Sequence, residues 1–126
     1  MRKPPRQVIH DIAACDAILT TSLYGLIVAD ALGIPAAWAT LEPSVPGGSF
    51  KFHDHEALVC ASQDLDSRRF DPMDHSIGSR LEKIVRRADP ERVEHAKDAV
   101  RQSRLQLAHE LLDRRGAARR VLTWRP

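Results

Sequence analysis

The amino-acid sequence predicts an α/β fold, with a short parallel sheet, flanking helices and a helical C-terminal extension. Residues 17–20 form an apolar run that is too short for a helix, and residues 36–40 form a second apolar run. Between them, residues 23–32 are apolar almost all round, which is typical of a helix buried on most faces. A strand, a helix and a strand in direct succession make a βαβ unit, which is parallel and right-handed in nearly all cases.

Local signals mark both ends of the central helix. Thr20, Thr21 and Ser22 carry hydroxyl side chains of the type that cap a helix beginning just after them. Gly33 suits a left-handed C-terminal cap, and Pro35 cannot continue the helix. These signals fix the boundaries of the unit more sharply than hydrophobicity alone.

Further helices are predicted on either side of the βαβ unit. Residues 7–15 and 76–88 carry apolar side chains at helical spacing. Asp89-Pro90-Glu91 supplies a cap, a proline at the first helical position and an acidic first turn, so a long helix begins there and ends before Gly116. An apolar stripe on this helix is expected to pack against the α/β unit, with a helical dimer seam as the alternative: Val93, Ala96, Val100, Leu107 and Leu111.

Length and composition indicate one domain covering residues 1–126 in a reduced, cytoplasmic setting. The chain is 43% hydrophobic, and its net charge is +2 although 29% of its residues are charged, so neither nucleic-acid binding nor membrane binding is indicated. No apolar run approaches the length of a transmembrane segment. Cys15 and Cys60 are isolated, which favours neither a zinc site nor a disulfide framework.

The first candidate site lies at the carboxyl end of the first predicted strand. In a βαβ unit, the free backbone N–H groups of the following helix point outward there and favour an anion. Thr21, Ser22, Leu23 and Tyr24 occupy this position. The sequence therefore predicts an anion-binding turn at residues 21–24.

A second candidate segment is the loop at residues 41–48, which holds two prolines and two glycines. Gly47 and Gly48 allow the backbone to approach a ligand closely. Lys51 follows as a point-charge contact for an anion, with His53 nearby. We therefore expect Lys51 to reach the anion-binding turn from this glycine-rich loop.

Other charged side chains are interpreted as solvated. Asp30 is the one charge of the central helix and is expected to be an exposed or capping carboxylate. Arg68 and Arg69 lie in a polar segment, residues 62–72, that is predicted to be irregular. No metal site is expected at residues 53–55, because adjacent side chains of an extended segment point to opposite sides.

Two stretches of the chain carry a family resemblance. The first is Thr-Ser-Leu-Tyr-Gly-Leu-Ile-Val-Ala-Asp-Ala-Leu-Gly-Ile-Pro at residues 21–35, followed by Trp38 on the second strand. The second is Gly-Gly-Ser-Phe-Lys-Phe-His-Asp at residues 47–54. Together they resemble the C-terminal half of the polysaccharide pyruvyl transferase family, whose usual motifs are Ser-Ser-Leu-His-Gly and Gly-Gly-x-Phe-Lys-Phe-x-Asp-Tyr.

The resemblance implies a truncated, Rossmann-like C-terminal domain of a GT-B-type architecture, the half that binds the donor. It implies phosphoenolpyruvate as the donor and, as the acceptor, a sugar of an exopolysaccharide or a lipid-linked sugar, joined as a pyruvate ketal. No cofactor and no metal are expected. Tyr24 stands at the catalytic position of the motif histidine, and the implied substrate-binding residues are Thr21, Ser22, Leu23, Gly47, Gly48 and Lys51.

Two departures from the family motifs bear on activity. Tyr24 replaces a histidine, and tyrosine titrates near 10, so it offers a hydrogen bond but seldom a proton. A chain of 126 residues also has no room for the acceptor-side domain. We therefore expect the chain alone to be inactive, and to act as a homo-oligomer or with a partner chain that supplies the missing domain. The alternatives are a non-catalytic binding or interaction module and a truncated remnant of such an enzyme.

Overall fold

The computed structural model describes residues 3–41 and 47–122, with side chains described as far as residue 115. It is an α/β structure, mostly helical, in which helices flank a two-stranded parallel sheet. A short 3₁₀ turn, Ser62–Asp64, follows the third helix. The elements in chain order are α1 (Pro5–Ala13), β1 (Ile18–Thr20), α2 (Leu23–Ala31), β2 (Ala36–Trp38), α3 (Phe50–Val59), α4 (Ile77–Ile84) and α5 (Pro90–Leu122).

The predicted βαβ unit is confirmed. Strands β1 and β2 pair in parallel, with Ile18 opposite Ala36 and Thr20 opposite Trp38. Helix α2 crosses between them and is followed, after the C-cap residue Leu32, by a left-handed Gly33, whose φ is 70°. The boundaries follow from the apolar runs and from the glycine, which are local signals.

Strand β2 is the centre of the sheet because both of its edges are paired. The main-chain N–H of Trp38 donates to the carbonyl of Arg68, and the N–H of Phe70 donates to the carbonyl of Trp38. These bonds form a parallel bridge between Trp38 and Arg69, and Ala36 forms an antiparallel bridge with Arg86. Residues 68–70, here called the Arg69 segment, therefore lie along β2 as a short parallel extension of the sheet.

The chain forms two compact units, Met1–Glu94 and His95–Pro126. The main core lies in the first unit and joins α2, β2 and α3 through buried side chains: Leu26, Ala29, Ile34, Ala36, Trp38 and Phe52. A second, smaller cluster in the same unit packs the end of α3 against the start of α5: Val59, Cys60, Ala88 and Val93. The second unit is the remainder of α5 and the residues after it.

Helix α3 corrects the expectation of an extended segment at residues 53–55. These residues are helical, and Lys51 lies in the first turn of α3 rather than in the glycine-rich loop. The buried face of α3 consists of Phe52, Glu56 and Val59, which have the i, i+4, i+7 spacing of one helix face. Because the charged residue Glu56 lies in the middle of this buried face, the sequence does not show the apolar periodicity that is typical of a packed helix.

The C-terminal helix begins as predicted but does not end as predicted. Asp89 caps α5, because its Oδ1 accepts the N–H of Glu91 at 2.9 Å and that of Arg92 at 3.3 Å. The helix continues through Gly116 to Leu122, so the expected end before Gly116 is wrong. Of the predicted apolar stripe, Val93 is buried, whereas the other large members are exposed: Val100, Leu107 and Leu111. Within the stripe, the predicted packing against the α/β unit is thus found for Val93, the first residue. The alternative, a helical dimer seam, stays a prediction.

No helix in the described part of the chain is both long enough and apolar enough to cross a membrane.

A matched pair of glycine substitutions tests the left-handed cap of α2. Gly33→Ala places a Cβ at φ 70°, which we expect to destabilise the fold by about 1 kcal/mol, because left-handed backbone costs roughly 1–2 kcal/mol for an ordinary residue. Gly78→Ala, inside α4 with no atom within 4 Å of the added Cβ, is expected to stabilise it by about 0.5 kcal/mol. Urea unfolding followed by circular dichroism measures both. Equal changes in the free energy of unfolding for the two substitutions would contradict a left-handed cap at Gly33.

Candidate functional site

The turn between β1 and α2, residues 20–25, is shaped by a threonine and is here called the Thr20 turn. Oγ1 of Thr20 accepts the N–H of Ser22 at 3.0 Å and donates to the carbonyl of Ser22 at 3.2 Å. Ser22 is the N-cap residue of α2, but its own hydroxyl makes no capping hydrogen bond. One of the predicted anion-binding N–H groups, that of Ser22, is therefore already bonded within the turn.

Gly25 explains the glycine of the first motif. A Cβ at this position would lie 2.7 Å from Oγ1 of Thr20, closer than real Cβ contacts. Glycine thus allows α2 to start directly against the threonine side chain. Tyr24 next to it is 79% exposed, and Leu23 packs against the core. The first N–H groups of a helix have no partner within it, so those of Leu23 and Tyr24 remain suited to an anion.

The second motif forms the turn before α3 and the first turns of that helix. Gly47 and Gly48 have φ values of 92° and 46°, and the carbonyl of Gly47 accepts the N–H of Phe50 at 3.1 Å. The ammonium of Lys51 lies 5.5 Å from the ring centroid of Phe52. In residues 3–41 and 47–115, no hydrogen bond or ion pair joins Lys51 to the Thr20 turn.

Topology places both segments at one edge of the sheet. Because β1, β2 and the Arg69 segment are parallel, their carboxyl ends lie at the same edge. Helix α2 begins directly at this edge, and α3 begins in the connection that leaves it after β2. Ligands of open α/β sheets bind outside the carboxyl ends of the strands, so this edge is the candidate site.

A buried ionic cluster, here called the Arg68 cluster, consists of Asp30, His55, Glu56 and Arg68. Arg68 donates from Nη1 and Nη2 to the two oxygens of Asp30, at 2.6 and 3.1 Å, and from Nε to Glu56 Oε1 at 3.1 Å. The three side chains are at most 1% exposed. The expected exposed carboxylate at Asp30 and solvated arginine at Arg68 are therefore wrong.

Two further contacts complete the Arg68 cluster. His55 Nε2 lies 2.8 Å from Oδ2 of Asp30, and the backbone N–H of Asp66 donates to Glu56 Oε2 at 3.2 Å. Burial by itself lowers the pKa of Arg68, but its hydrogen bond to Asp30 and the negative charge there outweigh burial, so the pKa is raised and the guanidinium stays charged. The cluster ties α2, α3 and the segment after the 3₁₀ turn together.

Trp38 organises a second group of side chains on β2. Its ring stacks on Phe52, with centroids 4.6 Å apart and planes within 5°, and meets His53 edge-on at 5.3 Å. The guanidinium carbon of Arg69 lies 5.5 Å from the Trp38 ring centroid, within the range of a cation–π contact. His53 Nε2 in turn lies 2.7 Å from Oδ1 of Asp66.

An open cleft of about 620 Å³ lies beside this group and is here called the Arg69 cleft. Its lining residues are Thr40, Asp66, Arg69, Phe70, Asp71 and Pro72. This cleft was not predicted from the sequence. The Arg69 segment pairs with β2 through an isolated bridge, and no local sequence pattern indicates that pairing.

A smaller cavity of about 340 Å³ has Cys60 and Arg68 in its wall. Burial raises the pKa of the Cys60 thiol, partly offset by the nearby positive charge of Arg68. A thiol with a raised pKa is a poor nucleophile at neutral pH, so this cavity offers no reactive cysteine.

Among the described residues, no group of three or more histidine, cysteine, aspartate or glutamate side chains is arranged to hold a metal ion. Comparison with protein-family models, with curated proteins and with solved structures finds no match to this chain.

Substitution of Arg68 tests the buried cluster. Arg68→Met removes the guanidinium and leaves two buried carboxylates without their common partner, which we expect to destabilise the fold by roughly 3–5 kcal/mol. Arg68→Lys keeps the charge but not the three-donor geometry, so we expect an intermediate loss. Arg80→Met is the control, since its ion pair with Asp74 is largely exposed and is worth at most about 1 kcal/mol. Urea unfolding of the three variants checks the order, and a loss no larger for Arg68→Met than for Arg80→Met would refute the structural role.

Proposed function

We propose that this chain is a polysaccharide pyruvyl transferase-like protein of exopolysaccharide biosynthesis, in which these residues form the donor-binding, Rossmann-like side of a GT-B-type architecture. The donor is phosphoenolpyruvate, and the acceptor is a sugar of a polysaccharide or a lipid-linked sugar. The setting proposed is the cytoplasm. Another copy of the chain, or a partner chain, supplies the acceptor side.

The observation that carries this proposal is that the two sequence motifs come together in one site region. Phe52 of the second motif stacks on Trp38, the tryptophan that follows the first motif. Asp30 of the first motif contacts His55, which directly follows the second. The two pairs are 14 and 25 positions apart in the chain, and a donor site built from both motifs requires such separated stretches to come together.

The chemistry of the Thr20 turn agrees with a phosphate or carboxylate ligand. The helix start at Leu23 and Tyr24 presents N–H groups to an anion, and Tyr24 is exposed and able to donate a hydrogen bond. Lys51 starts from the same edge of the sheet and brings a flexible positive charge. Gly47 and Gly48 allow the preceding turn to adopt positive φ values close to the ligand.

Tyr24 limits the proposal to donor binding by the chain alone. Pyruvyl transfer needs a proton donor near neutral pH, which a tyrosine seldom provides. It also needs the acceptor held against the donor, and such positioning accounts for about 7–11 kcal/mol of a barrier in well-oriented cases. We therefore propose that donor binding resides here and that turnover requires the acceptor side.

Calorimetric titration with phosphoenolpyruvate tests the proposal. The wild-type chain is expected to bind it, and Lys51→Ala to bind it roughly 2–5-fold more weakly, because one partly exposed charge contributes at most about 1 kcal/mol. Lys83→Ala on α4 is the matched control with the same loss of charge. Tyr24→His should strengthen binding at pH 6 relative to pH 8, since imidazolium adds positive charge at the helix start, whereas Tyr24→Phe should not.

Two results would contradict the proposal. Absence of phosphoenolpyruvate binding by the wild-type chain would favour an interaction module or a remnant without this site. Acceptor-dependent phosphate release by the isolated wild-type chain would show that Tyr24 supports turnover, against the expectation of donor binding alone.

A further inference from the structure

We propose that the Arg69 cleft is a second binding site, which takes a small hydroxylated ligand carrying one negatively charged group, such as a hydroxy acid or an acidic sugar. The proposal is independent of the donor site, because neither the Thr20 turn nor Lys51 lines the cleft. It rests on the position of the cleft, on an arginine in its wall that has no ion-pair partner among the described residues, and on the balance of charges around it.

The position of the cleft is that of a ligand site in an open α/β sheet. Thr40 follows the end of β2 at Trp38, and Phe70 and Asp71 follow the parallel bridge at Arg69. The cleft therefore lies at the carboxyl ends of two adjacent parallel segments, where such sheets bind ligands. Its volume of about 620 Å³ falls within the range of small-molecule sites, roughly 300–1,000 Å³.

Arg69 supplies a cation that is held in place but not neutralised. Its guanidinium lies over the Trp38 ring, which is itself fixed by stacking on Phe52. Across residues 3–41 and 47–115 it forms no ion pair, although Asp66 and Asp71 line the same cleft. A guanidinium with free donors on a rigid support is suited to hold a carboxylate through two parallel hydrogen bonds.

The two carboxylates of the cleft are occupied in part by the protein. Asp66 bonds to His53, and Oδ1 of Asp71 accepts the N–H of Met73 at 2.9 Å. The N–H of Asp66 donates to Glu56, so this wall of the cleft is attached to the Arg68 cluster. Asp66 also has a φ of 61°, in the left-handed region that aspartate adopts more readily than most other non-glycine residues.

The charges select the class of ligand. One negatively charged group can pair with Arg69, whereas a second would lie close to the carboxylates of Asp66 and Asp71 and be repelled. An uncharged apolar ligand would take the guanidinium out of water without giving it an ionic partner. A ligand with a single carboxylate for Arg69 and hydroxyl groups for Asp71 and Thr40 satisfies both requirements. Phe70 provides an apolar surface for the carbon skeleton.

Titration of the ¹⁵N-labelled chain with D-glucuronate, monitored by NMR, tests the proposal. We expect chemical-shift changes at the amides of Thr40, Arg69 and Asp71, with D-glucose, which lacks the acid, binding roughly tenfold more weakly or worse. Methyl glucuronoside distinguishes the source of the ligand. Its carboxylate is intact but its anomeric hydroxyl is blocked, so it mimics an acidic sugar linked within a glycan rather than a free hydroxy acid. Phosphoenolpyruvate should instead change the chemical shifts of the amides in the Thr20 turn. The proposal for this cleft and the proposal for the donor site can therefore be refuted separately.

A charge-removing variant supplies the second test. Arg69→Gln should weaken glucuronate binding roughly tenfold or more, whereas Arg80→Gln, whose arginine does not line the cleft, should leave it unchanged. The wild-type titration decides the proposal even where Arg69→Gln disturbs folding. Absence of shifts at the cleft, equal binding of glucose and glucuronate, or unchanged affinity in a folded Arg69→Gln chain would each overturn it.

Discussion

The fork of hydrogen bonds from Arg68 to Asp30 and Glu56 is the interaction on which the rest of this structure depends. It joins residues 38 and 12 positions apart in the chain and lies almost entirely out of contact with water. Burying three charges is unfavourable unless each is paired and hydrogen-bonded, and here each one is. The fork therefore specifies one arrangement of α2, α3 and the segment that leads to Arg69, rather than merely adding stability.

Both proposed binding regions depend on this arrangement. Arg68 is followed directly by Arg69, and the main chain at the two residues pairs with Trp38, so the position of the cleft follows from the position of the fork. Asp30 holds α2 from its far end, while Thr20 and Gly25 fix the near end through a close contact that only glycine permits. The same edge of the sheet thus carries the start of α2, which we propose binds an anion, and, separately, a cleft lined by Arg69, which forms no ion pair within residues 3–41 and 47–115.

The βαβ unit was predictable because each of its signals is local. An apolar run, hydroxyl residues, an apolar helix and a glycine followed by a proline appear in order within residues 17–40, and the structure places β1, α2 and β2 accordingly. The turn at residues 21–24 was predictable for the same reason, and its binding of an anion stays a prediction. Its detailed hydrogen bonding was not, because the side chain that shapes the turn is Thr20 rather than the capping Ser22.

Helix α3 and the cleft escaped prediction because their signals are not local. Glu56 lies on the buried face of α3 only because Arg68 neutralises it, and nothing near Glu56 in the sequence reveals that partner. Asp30 appeared exposed for the same reason, as a lone charge on an apolar helix. The end of α5 was predicted wrongly because Gly116 was interpreted as a helix terminator. A glycine inside a helix lowers the stability of that helix by only about 1 kcal/mol relative to alanine, and α5 continues through it.

A double-mutant cycle between Asp30 and Arg68 tests the central claim most directly. The free energy of unfolding in urea is measured for the wild type, Asp30→Asn, Arg68→Met and the double variant. If the fork organises the fold, the double variant loses less stability than the sum of the single variants, with a coupling of about 1–3 kcal/mol, because the second substitution removes one partner of a hydrogen-bonded pair that the first has already broken. Losses that add within about 0.5 kcal/mol would show that the two side chains act independently, and would contradict the account.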